Sequence, residues 1–368
     1  MSVVRVLHVI AGLNNGGAEA YIMNMYRNID RTKVQFDFLL RSKNGIYEEE
    51  VKKMGGRIFY TSEYPRHFFK NKKEVKNFFK QHKEYDIIHV HANALIYMTA
   101  IKIAKKNNIK CRVMHSHNVN AKNKIFSIIH YINKLRIKKY TTDCFACSTE
   151  AGEWMFGNEF ILKRNAVDLN KFKPNIEIRQ KVRNNLNISD KFVIGHIGRF
   201  VTQKNHSLMI KIFDEYHKSN PESVLLLVGG GPLEKEIKSM VEKYKLTESV
   251  KFLGFRNDVS EILQAFDVFV FPSLFEGLPV SMIEAQTANI PCIISSVISD
   301  EVMLTSLMKK VSLDDSLAKW AETINFMRYN KKENIEVSLS KIKNAGYDIE
   351  TATKELQNFY IEKSLCEK

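Results

Sequence analysis

Short apolar runs alternate with amphipathic stretches along the first half of the chain. Runs rich in β-branched and aromatic residues predict strands at 3–10, 34–40, 57–60, 85–91 and 111–117. Apolar residues at helical spacing between these runs predict helices at 18–28, 46–54, 71–82 and 95–107. Strands separated by helices need crossover connections, so the pattern predicts a parallel sheet covered by helices.

The same alternation begins again after a linker-like stretch at 166–176. Strands are predicted at 192–199, 223–230, 250–255, 268–273 and 291–295. Helices are predicted at 205–218, 232–244, 258–265, 279–288 and 315–327. The repeat predicts an α/β protein with two doubly wound domains, 1–165 and 166–346.

A last amphipathic helix is predicted from Tyr347 to about Lys363. Its apolar face carries Ile349, Thr353, Leu356 and Tyr360. We expect the C-terminal segment 347–368 to fold back and complete the first domain.

The composition limits the class of protein. With 368 residues, 44% hydrophobic and 26% charged, the chain suits two globular domains, because single cores stop growing near ~250–300 residues. Five scattered Cys, with one close pair at Cys144 and Cys147, form neither a disulfide framework nor a zinc site. No secretion signal or membrane-spanning stretch is recognisable. We expect a reducing, cytoplasmic location.

Charge is divided unequally along the chain. Residues 1–164 hold 29 Lys and Arg against 14 Asp and Glu, whereas residues 165–368 hold 27 of each kind. The excess predicts that the first domain meets an anionic partner, either a membrane surface or a nucleic acid. A Lys-rich proteome is the alternative, although such a bias should raise both halves.

Two loops that follow predicted strands carry residues suited to binding an anion. Gly16 and Gly17 open a helix after the first strand, where backbone N–H groups can approach a phosphate. Arg199 and Lys204 flank the turn after the first strand of the second domain and could converge on one phosphate. An ordinary turn and a solvated charged loop are the respective alternatives.

Two carboxylates stand out by their apolar context. Glu276 follows a nearly all-apolar strand, and Glu284 lies in a largely uncharged helix. By contrast, Glu234 and Glu242 have the same spacing but sit among Lys residues, as on an exposed helix face. Buried carboxylates are usually paired or functional, so the first pair is the candidate site.

Five motifs now carry a family resemblance over nearly the whole chain. They are GGAE at 16–19, HSHN at 115–118, GRFVTQKN at 198–205, FLGFRNDV at 252–259 and FEGLPVSMIE at 275–284. Their order and spacing resemble those of the retaining, nucleotide-sugar-dependent glycosyltransferases of family 4. The chain is most similar to bacterial enzymes that assemble capsular or exopolysaccharide repeat units. This resemblance implies a GT-B fold, in which two Rossmann-like domains, the first for the acceptor and the second for the donor, face a central cleft.

The resemblance also implies roles for individual residues. Arg199 and Lys204 would hold the donor diphosphate, Glu276 the hydroxyls of the transferred sugar and Glu284 those of the ribose. His117 would point toward the transferred sugar. The remaining donor-binding positions implied by similarity are Gly16, Gly17, Phe255, Arg256, Gly277, Leu278 and Val280. The catalytic set is therefore expected to be Glu276, His117, Arg199 and Lys204.

The expected chemistry is metal-independent and needs no cofactor. No Asp-x-Asp occurs in the sequence, so the usual means of presenting a divalent metal to a diphosphate is missing. Arg199 and Lys204 would then neutralise the leaving diphosphate. The family implies a front-face reaction that retains anomeric configuration, with a UDP-sugar as donor and a lipid-diphosphate-linked saccharide as acceptor.

Other functions remain open at this stage. A dinucleotide oxidoreductase fits poorly, because Gly229, Gly230 and Gly231 are followed by Glu234 where the last glycine of the motif should stand. A UDP-sugar epimerase of similar build and a non-catalytic sugar-nucleotide-binding protein are the alternatives. No nucleic-acid motif accompanies the basic half, so we expect no nucleic-acid partner.

Two segments of the first domain interleave cations with apolar residues. They are 64–83, with Phe68, Phe69, Phe78 and Phe79, and 121–140, with Phe126, Ile129, Ile132 and Leu135. Such segments can lie in the interface of an anionic membrane, which predicts a peripheral protein on the inner face of the cell membrane. The alternative is that these apolar positions pack into the core.

Overall fold

Two compact units make up the chain in a computed structural model that describes residues 3–14, 16–119, 123–329 and 333–365. The first unit runs to Ala166 and resumes at Asp348, and the second spans Val167–Tyr347. Both boundaries lie one residue from those proposed on sequence. None of the described helices combines the length and hydrophobicity that crossing a membrane requires.

The first unit contains a seven-stranded parallel sheet. In chain order its strands are β1 (Val4–Ile10), β2 (Val34–Leu40), β3 (Ile58–Tyr60), β4 (Ile87–Ala92), β5 (Cys111–Ser116), β6 (Asp143–Ala146) and β7 (Ile161–Leu162). In space the order is β3-β2-β1-β4-β5-β6-β7. The order reverses between β1 and β4, and loops at the carboxyl ends of such strands bind ligands in doubly wound folds.

Helices cover both faces of this sheet. They are α1 (Gly17–Asn28), α2 (Glu48–Lys53), α3 (Phe68–Gln81), α4 (Thr99–Lys106), α5 (Lys124–Lys134) and α6 (Thr149–Phe156). Alternate residues of β1 enter opposite cores: Val6 packs in the core that includes α1, and Leu7 packs in the core that includes α3 and α4.

The second unit repeats this plan with six parallel strands. They are β8 (Phe192–Ile197), β9 (Ser223–Val228), β10 (Val250–Gly254), β11 (Val268–Phe271), β12 (Cys292–Ser295) and β13 (Met308–Val311). The spatial order is β10-β9-β8-β11-β12-β13, so the reversal lies between β8 and β11. Its loops are therefore the place to look for a ligand site in this unit.

The helices of the second unit include one in the segment predicted as a linker. In chain order they are α7 (Leu169–Phe172), α8 (Ile176–Asn185), α9 (His206–Ser219), α10 (Glu234–Lys243), α11 (Val259–Gln264), α12 (Val280–Thr287), α13 (Leu317–Tyr329) and α14 (Ile335–Asn344). The linker prediction for 166–176 was wrong, because Val167 and Phe172 are buried in the core of this unit.

The last helix, α15 (Ile349–Leu365), returns to the first unit. Its buried residues are Ile349, Thr353, Leu356 and Tyr360, which confirms the predicted apolar face. Ile349, Leu356 and Tyr360 join the core that contains Val6. The first unit is thus built from both ends of the chain.

Candidate functional site

The loops that follow β8 and β11 are tied together at the point where the strand order of the second unit reverses. The backbone N–H of Leu274 donates to the carbonyl of Gln203 at 2.9 Å, and Gln203 Nε2 donates to the carbonyl of Phe275 at 3.0 Å. These bonds join segments 198–205 and 272–279 into one surface. Both segments contain residues that the sequence analysis selected.

Lys204 and Glu276 meet in this surface. Lys204 Nζ lies 2.7 Å from Glu276 Oε1, and the two side chains are only 18% and 9% exposed. The same ammonium lies 4.5 Å from the centroid of the Phe271 ring. Sequence reasoning assigned Lys204 to phosphate and Glu276 to sugar, and did not foresee their direct ion pair.

Arg199 is a second cation, five residues before Lys204 in the loop after β8. It is exposed and makes no ion pair or side-chain hydrogen bond with the residues that the structure describes. Its neighbour Gly198 leaves room for Lys204, since a Cβ at Gly198 would lie 3.2 Å from Lys204 Cδ. Gly229, after β9, has φ +128, and a Cβ there would lie 2.2 Å from the carbonyl oxygen of Gly198. The loops after β8 and β9 therefore approach closely.

Glu284 lies in the second turn of α12. Burial raises the pKa of this carboxyl from its ordinary 4.5 to about 7, and the nearby Lys171 acts in the opposite direction. The carboxylate has no ion pair among the described residues. A partly buried acid with a displaced pKa and no ion-pair partner among the described residues is a candidate for ligand contact.

The other donor-binding candidates border the same sheet edge. Leu278 and Val280 pack their side chains against the core of the second unit, whereas a Cβ at Gly277 would meet nothing within 4 Å. Phe255 is 75% exposed, and a Cβ at Gly230 would lie 2.7 Å from its ring.

Arg256, next to Phe255, is already engaged in an ion pair. Its Nε and Nη2 donate to the two carboxylate oxygens of Asp258 at 2.8 and 2.6 Å. This two-point pair engages the guanidinium of an exposed residue in the loop after β10.

In the first unit, Gly16 and Gly17 open a helix as the sequence predicts. Gly16 caps α1, and Gly17 is its first residue. His117 follows β5, with Nε2 2.9 Å from Nδ1 of His91 and with Nδ1 buried and unpartnered in the described structure. Burial lowers the pKa of His117 to about 3, so the imidazole is neutral.

Sequence reasoning missed the surroundings of His117. Four more buried imidazoles lie beside it: His8 on β1, His89 and His91 on β4, and His115 on β5. Strand register brings them together, because His8 pairs with His89 and His91 pairs with His115. The available signal was the alternation in HVH at 89–91 and HSH at 115–117.

The two predicted membrane surfaces of the first unit need correction. Phe78 and Phe79, in segment 64–83, are buried core residues of α3, whereas Phe68 and Phe69 are 40% and 82% exposed. Only the start of that segment offers apolar side chains to the outside. The core alternative therefore holds for its second half.

Helix α5 presents an apolar face that matches the predicted one only in part, at Ile132 and Leu135. Phe126 and Ile129 are partly buried, whereas the exposed apolar residues of the helix and of the residue that follows it are Ile125, Ile128, Tyr131, Ile132 and Leu135. Part of segment 121–140, residues 121–122, lies outside the described residues. Hydrophobic spacing predicts that a stripe exists, but it does not decide which side faces the sheet.

Comparison with known proteins identifies the family to which the chain belongs. Residues 178–327 match the family model described as "Glycosyl transferases group 1", and residues 15–153 match the one described as "Glycosyltransferase Family 4". The chain is 35% identical to the putative glycosyltransferase EpsF of Bacillus subtilis, over 97% of this chain and 96% of that protein.

A second relative carries a more specific name. The UDP-Gal:alpha-D-GlcNAc-diphosphoundecaprenol alpha-1,3-galactosyltransferase of Escherichia coli is 27% identical over 76% of this chain and 79% of its own length. Among solved structures, Anabaena HepE in complex with UDP matches with a TM-score of 0.78 at 17% identity, covering 97% and 99% of the two chains. Similarity to EpsF over nearly the full length shows that the chain belongs to the family 4, group 1 glycosyltransferases, with the two Rossmann-like domains of the GT-B fold.

Proposed function

We propose that this glycosyltransferase moves a sugar from a UDP-sugar to a lipid-diphosphate-linked saccharide during synthesis of a bacterial capsular or extracellular polysaccharide. The observation that carries the proposal is the ion pair of Lys204 and Glu276 on the joined loops after β8 and β11, with Arg199 on the same loop as Lys204. The UDP donor and lipid-linked acceptor are supported by the name of the Escherichia coli relative.

The two cations suit a diphosphate leaving group. An ammonium has three N–H donors, so Lys204 can keep its bond to Glu276 and still donate to a phosphate oxygen. Arg199 is free of competing ion pairs among the described residues and can add a two-point contact. Charge that develops on the leaving diphosphate would thus meet fixed cations.

Glu276 offers the oxygen acceptors that a sugar would need. Beside its ion pair with Lys204, its carboxylate can accept hydrogen bonds from hydroxyl groups. One oxygen faces the ammonium, and the carboxylate retains further lone pairs for the ligand. Glu284 offers a second acceptor, which we assign to the ribose hydroxyls.

The reaction we propose retains the anomeric configuration and requires no metal. An oxygen of the leaving phosphate takes the proton of the acceptor hydroxyl, whose oxygen bonds to the anomeric carbon on the face that the phosphate leaves. The products are the glycoside and the protonated nucleoside diphosphate, so no protein nucleophile is needed. The absence of Asp-x-Asp from the sequence and the presence of two cations support metal independence.

The acceptor side of the proposal involves an anionic membrane on the cytoplasmic face. Besides the excess positive charge of residues 1–164, α5 exposes Ile128 by 61% and the following Leu135 by 89%. Arg136 and Lys139 are exposed close by in sequence. Apolar and cationic side chains in one segment suit the headgroup region, where a lipid-linked acceptor would reside.

The decisive experiment combines donor screening with one substitution. A panel of UDP- and GDP-sugars is tested for protection against thermal unfolding. A ligand at 100 times its Kd raises the free energy of unfolding by about 2.7 kcal/mol. The protecting donor is then assayed with lipid-diphosphate saccharides. Glu276→Gln should lose most turnover while remaining folded and still binding UDP, whereas the exposed Glu242→Gln should match wild type.

Three results would count against this function. Near-wild-type turnover by Glu276→Gln would remove Glu276 from the site. Turnover of the nucleotide-sugar without any acceptor would favour the epimerase alternative. A product of inverted configuration would exclude the front-face reaction while leaving the transferase activity standing.

A further inference from the structure

Five imidazoles, four of them in buried residues and the fifth in the partly exposed His117, form an array toward the carboxyl ends of the central strands of the first unit. Neighbouring rings lie 4.1–5.5 Å apart between centroids, and their planes differ by 15–34°. The members are His8, His89, His91, His115 and His117. Hydrogen bonds divide them into two separate chains.

The first chain begins at α15. Tyr360 Oη lies 2.5 Å from His89 Nδ1, and His89 Nε2 lies 3.1 Å from His115 Nδ1. Burial raises the pKa of Tyr360 well above 10, so its hydroxyl keeps its proton and can donate to His89. His89 is neutral and then carries its single proton on Nε2, where it donates to His115.

The second chain ends at His117. His8 Nδ1 lies 2.9 Å from His91 Nε2, and His91 Nδ1 lies 2.9 Å from His117 Nε2. Burial lowers the pKa of all three imidazoles, so each has one N–H and one lone pair. All donors in the chain must therefore point the same way, either toward His117 or toward His8.

The two directions differ in where an unpaired N–H is left. With donors pointing toward His8, its Nε2 carries a proton that has no acceptor in the described structure, in a ring only 1% exposed and 4.1 Å from Phe36. With donors pointing toward His117, the extra N–H lies on Nδ1, which is also buried and unpartnered in the described structure but belongs to a partly exposed residue at the end of β5. A ligand that enters at His117 can pair with this N–H, whereas the N–H of His8 would stay orphaned in the core, which is rare.

We propose that His8 and His91 are positioning residues that hold His117 in its Nδ1–H tautomer. His117 then presents a hydrogen-bond donor rather than an acceptor. The oxygens of a sugar hydroxyl or a phosphate are its complementary partners. The identity of this ligand rests on the proposed function, whereas the tautomer does not.

A metal centre is the competing use of the same residues. Two sets of three, His8 with His89 and His91, and His91 with His115 and His117, have ring nitrogens within 4.8 Å of one another. Imidazole lone pairs lie in the ring plane, so nearly parallel rings do not direct three lone pairs to one point. Metal binding would require ring rotation and loss of the hydrogen bonds at His91.

The test observes the tautomers directly in the full-length protein. Two-bond 1H–15N correlation spectra of histidine-labelled protein at neutral pH report which nitrogen of each ring is protonated, with assignment by single substitutions. We expect Nδ1–H at His8, His91 and His117, and Nε2–H at His89 and His115. A protonated Nε2 on His117, or one equivalent of a transition metal in protein purified without chelator, would overturn the proposal.

Substitution separates positioning from mere packing. His91→Phe removes the donor to His117 and should convert its spectrum to that of mixed tautomers, whereas His91→Asn, which keeps an N–H donor, should retain more of the Nδ1–H form. If His91→Phe does not fold, His91→Asn and wild type still give the comparison. Tyr360→Phe is the matched control, because it breaks the other chain and should change the His89 signals but leave the His117 tautomer unchanged.

Activity gives the second readout. In His91→Phe, kcat should fall at least tenfold while the donor KM changes less than threefold, with partial recovery in His91→Asn. Unchanged kcat together with a changed His117 tautomer would overturn the positioning role. If the protein proves to have no transferase activity, the spectra still decide the tautomer, so the two proposals fail separately.

Discussion

Arg199 and Lys204 look alike in the sequence but differ in the folded protein. Arg199 is exposed and forms no ion pair with the described residues, whereas Lys204 is mostly buried against Glu276. Removing Arg199 deletes one cation and leaves no carboxylate of the described structure without its counter-ion. Removing Lys204 also strands a mostly buried carboxylate, which costs stability.

This difference predicts two distinct phenotypes. Arg199→Ala should weaken UDP binding about 10- to 150-fold, the loss of roughly 1.5–3 kcal/mol from a charge-assisted bond, with an unchanged Tm. Lys204→Ala should weaken UDP binding similarly and also lower the Tm. Calorimetry and thermal unfolding measure both, with the exposed Lys235→Ala as control. Undiminished UDP affinity in both variants would take the two cations out of the site.

Glu284 makes the stability of the protein depend on pH in a defined direction. Its pKa is about 7 in the folded protein and 4.5 ordinarily, so between these values the folded state holds a proton that the unfolded chain releases. The contribution of Glu284 to the free energy of unfolding therefore falls as pH rises from 4.5 to 7 and is constant at higher pH. Glu284→Gln removes this effect.

We therefore expect Glu284→Gln to match wild type in Tm near pH 4.5 and to exceed it at pH 8. The measured quantity is the difference in Tm between variant and wild type at each pH, which cancels the titration of other groups. The exposed Glu248→Gln serves as control and should show a flat difference. A flat difference for Glu284→Gln as well would mean that its carboxyl ionises normally in the folded protein.

The sequence distinguished candidate residues by context, but it could not supply their contacts. Glu234 does form an exposed pair with Lys238 at 2.7 Å, as its charged surroundings predicted. The pair of Lys204 and Glu276 joins residues from different loops, and the imidazole array depends on the register of three strands. Both are set by sheet pairing, which residue patterns in one segment do not encode.

At the scale of elements, most strands were predicted and a few short ones were not. The five predicted strands of the first unit all occur, whereas β6, β7 and β13, with four, two and four residues, were not predicted. Runs this short do not by themselves establish a period of two. The ten-residue helices α8 and α14 were also missed. Helix α7 was not predicted because its four residues span barely more than one turn, too little to show helical periodicity, although Phe172 is buried in the core.

Helix α15 shows where pattern alone was sufficient. Its four inward residues repeat at three- and four-residue spacing over several turns, so the face was unambiguous. For α5 the same reasoning identified an amphipathic helix and two of its exposed residues, Ile132 and Leu135, but Phe126 and Ile129 are partly buried. That helix has apolar side chains on more than one side, and only tertiary packing decides which of them remain exposed.

At the scale of the whole molecule, the unequal division of charge acquires a location. The entire net charge of +15 resides in residues 1–164, the part of the chain that also exposes the apolar stripe of α5. Such a surface can bind a membrane through two interactions: its cations attract anionic headgroups, and its apolar side chains are buried at the acyl-chain boundary. The neutral second half lacks the first of these attractions.

The structure also refines which residues should test membrane binding. Lys134 Nζ donates to the carbonyl oxygens of Glu153 and Trp154 at 2.8 and 2.7 Å, so replacing it would loosen the end of α6. Lys138 pairs with Glu159 at 2.7 Å. Arg136 and Lys139 are exposed and leave those contacts intact, which makes them the better positions to neutralise.

We expect wild-type protein to sediment with lipid vesicles in proportion to their anionic-lipid content and to detach as salt is raised, because salt screens surface charges. Arg136→Gln with Lys139→Gln should weaken binding up to about 30-fold, at roughly 1 kcal/mol per cation. Ile128→Ser with Leu135→Ser should weaken it at every salt concentration, since burial of apolar area is not screened. Ile176→Ser, a 65% exposed position in the second unit, should bind like wild type. Equal sedimentation with neutral and anionic vesicles would show that the charge of the first unit serves another partner.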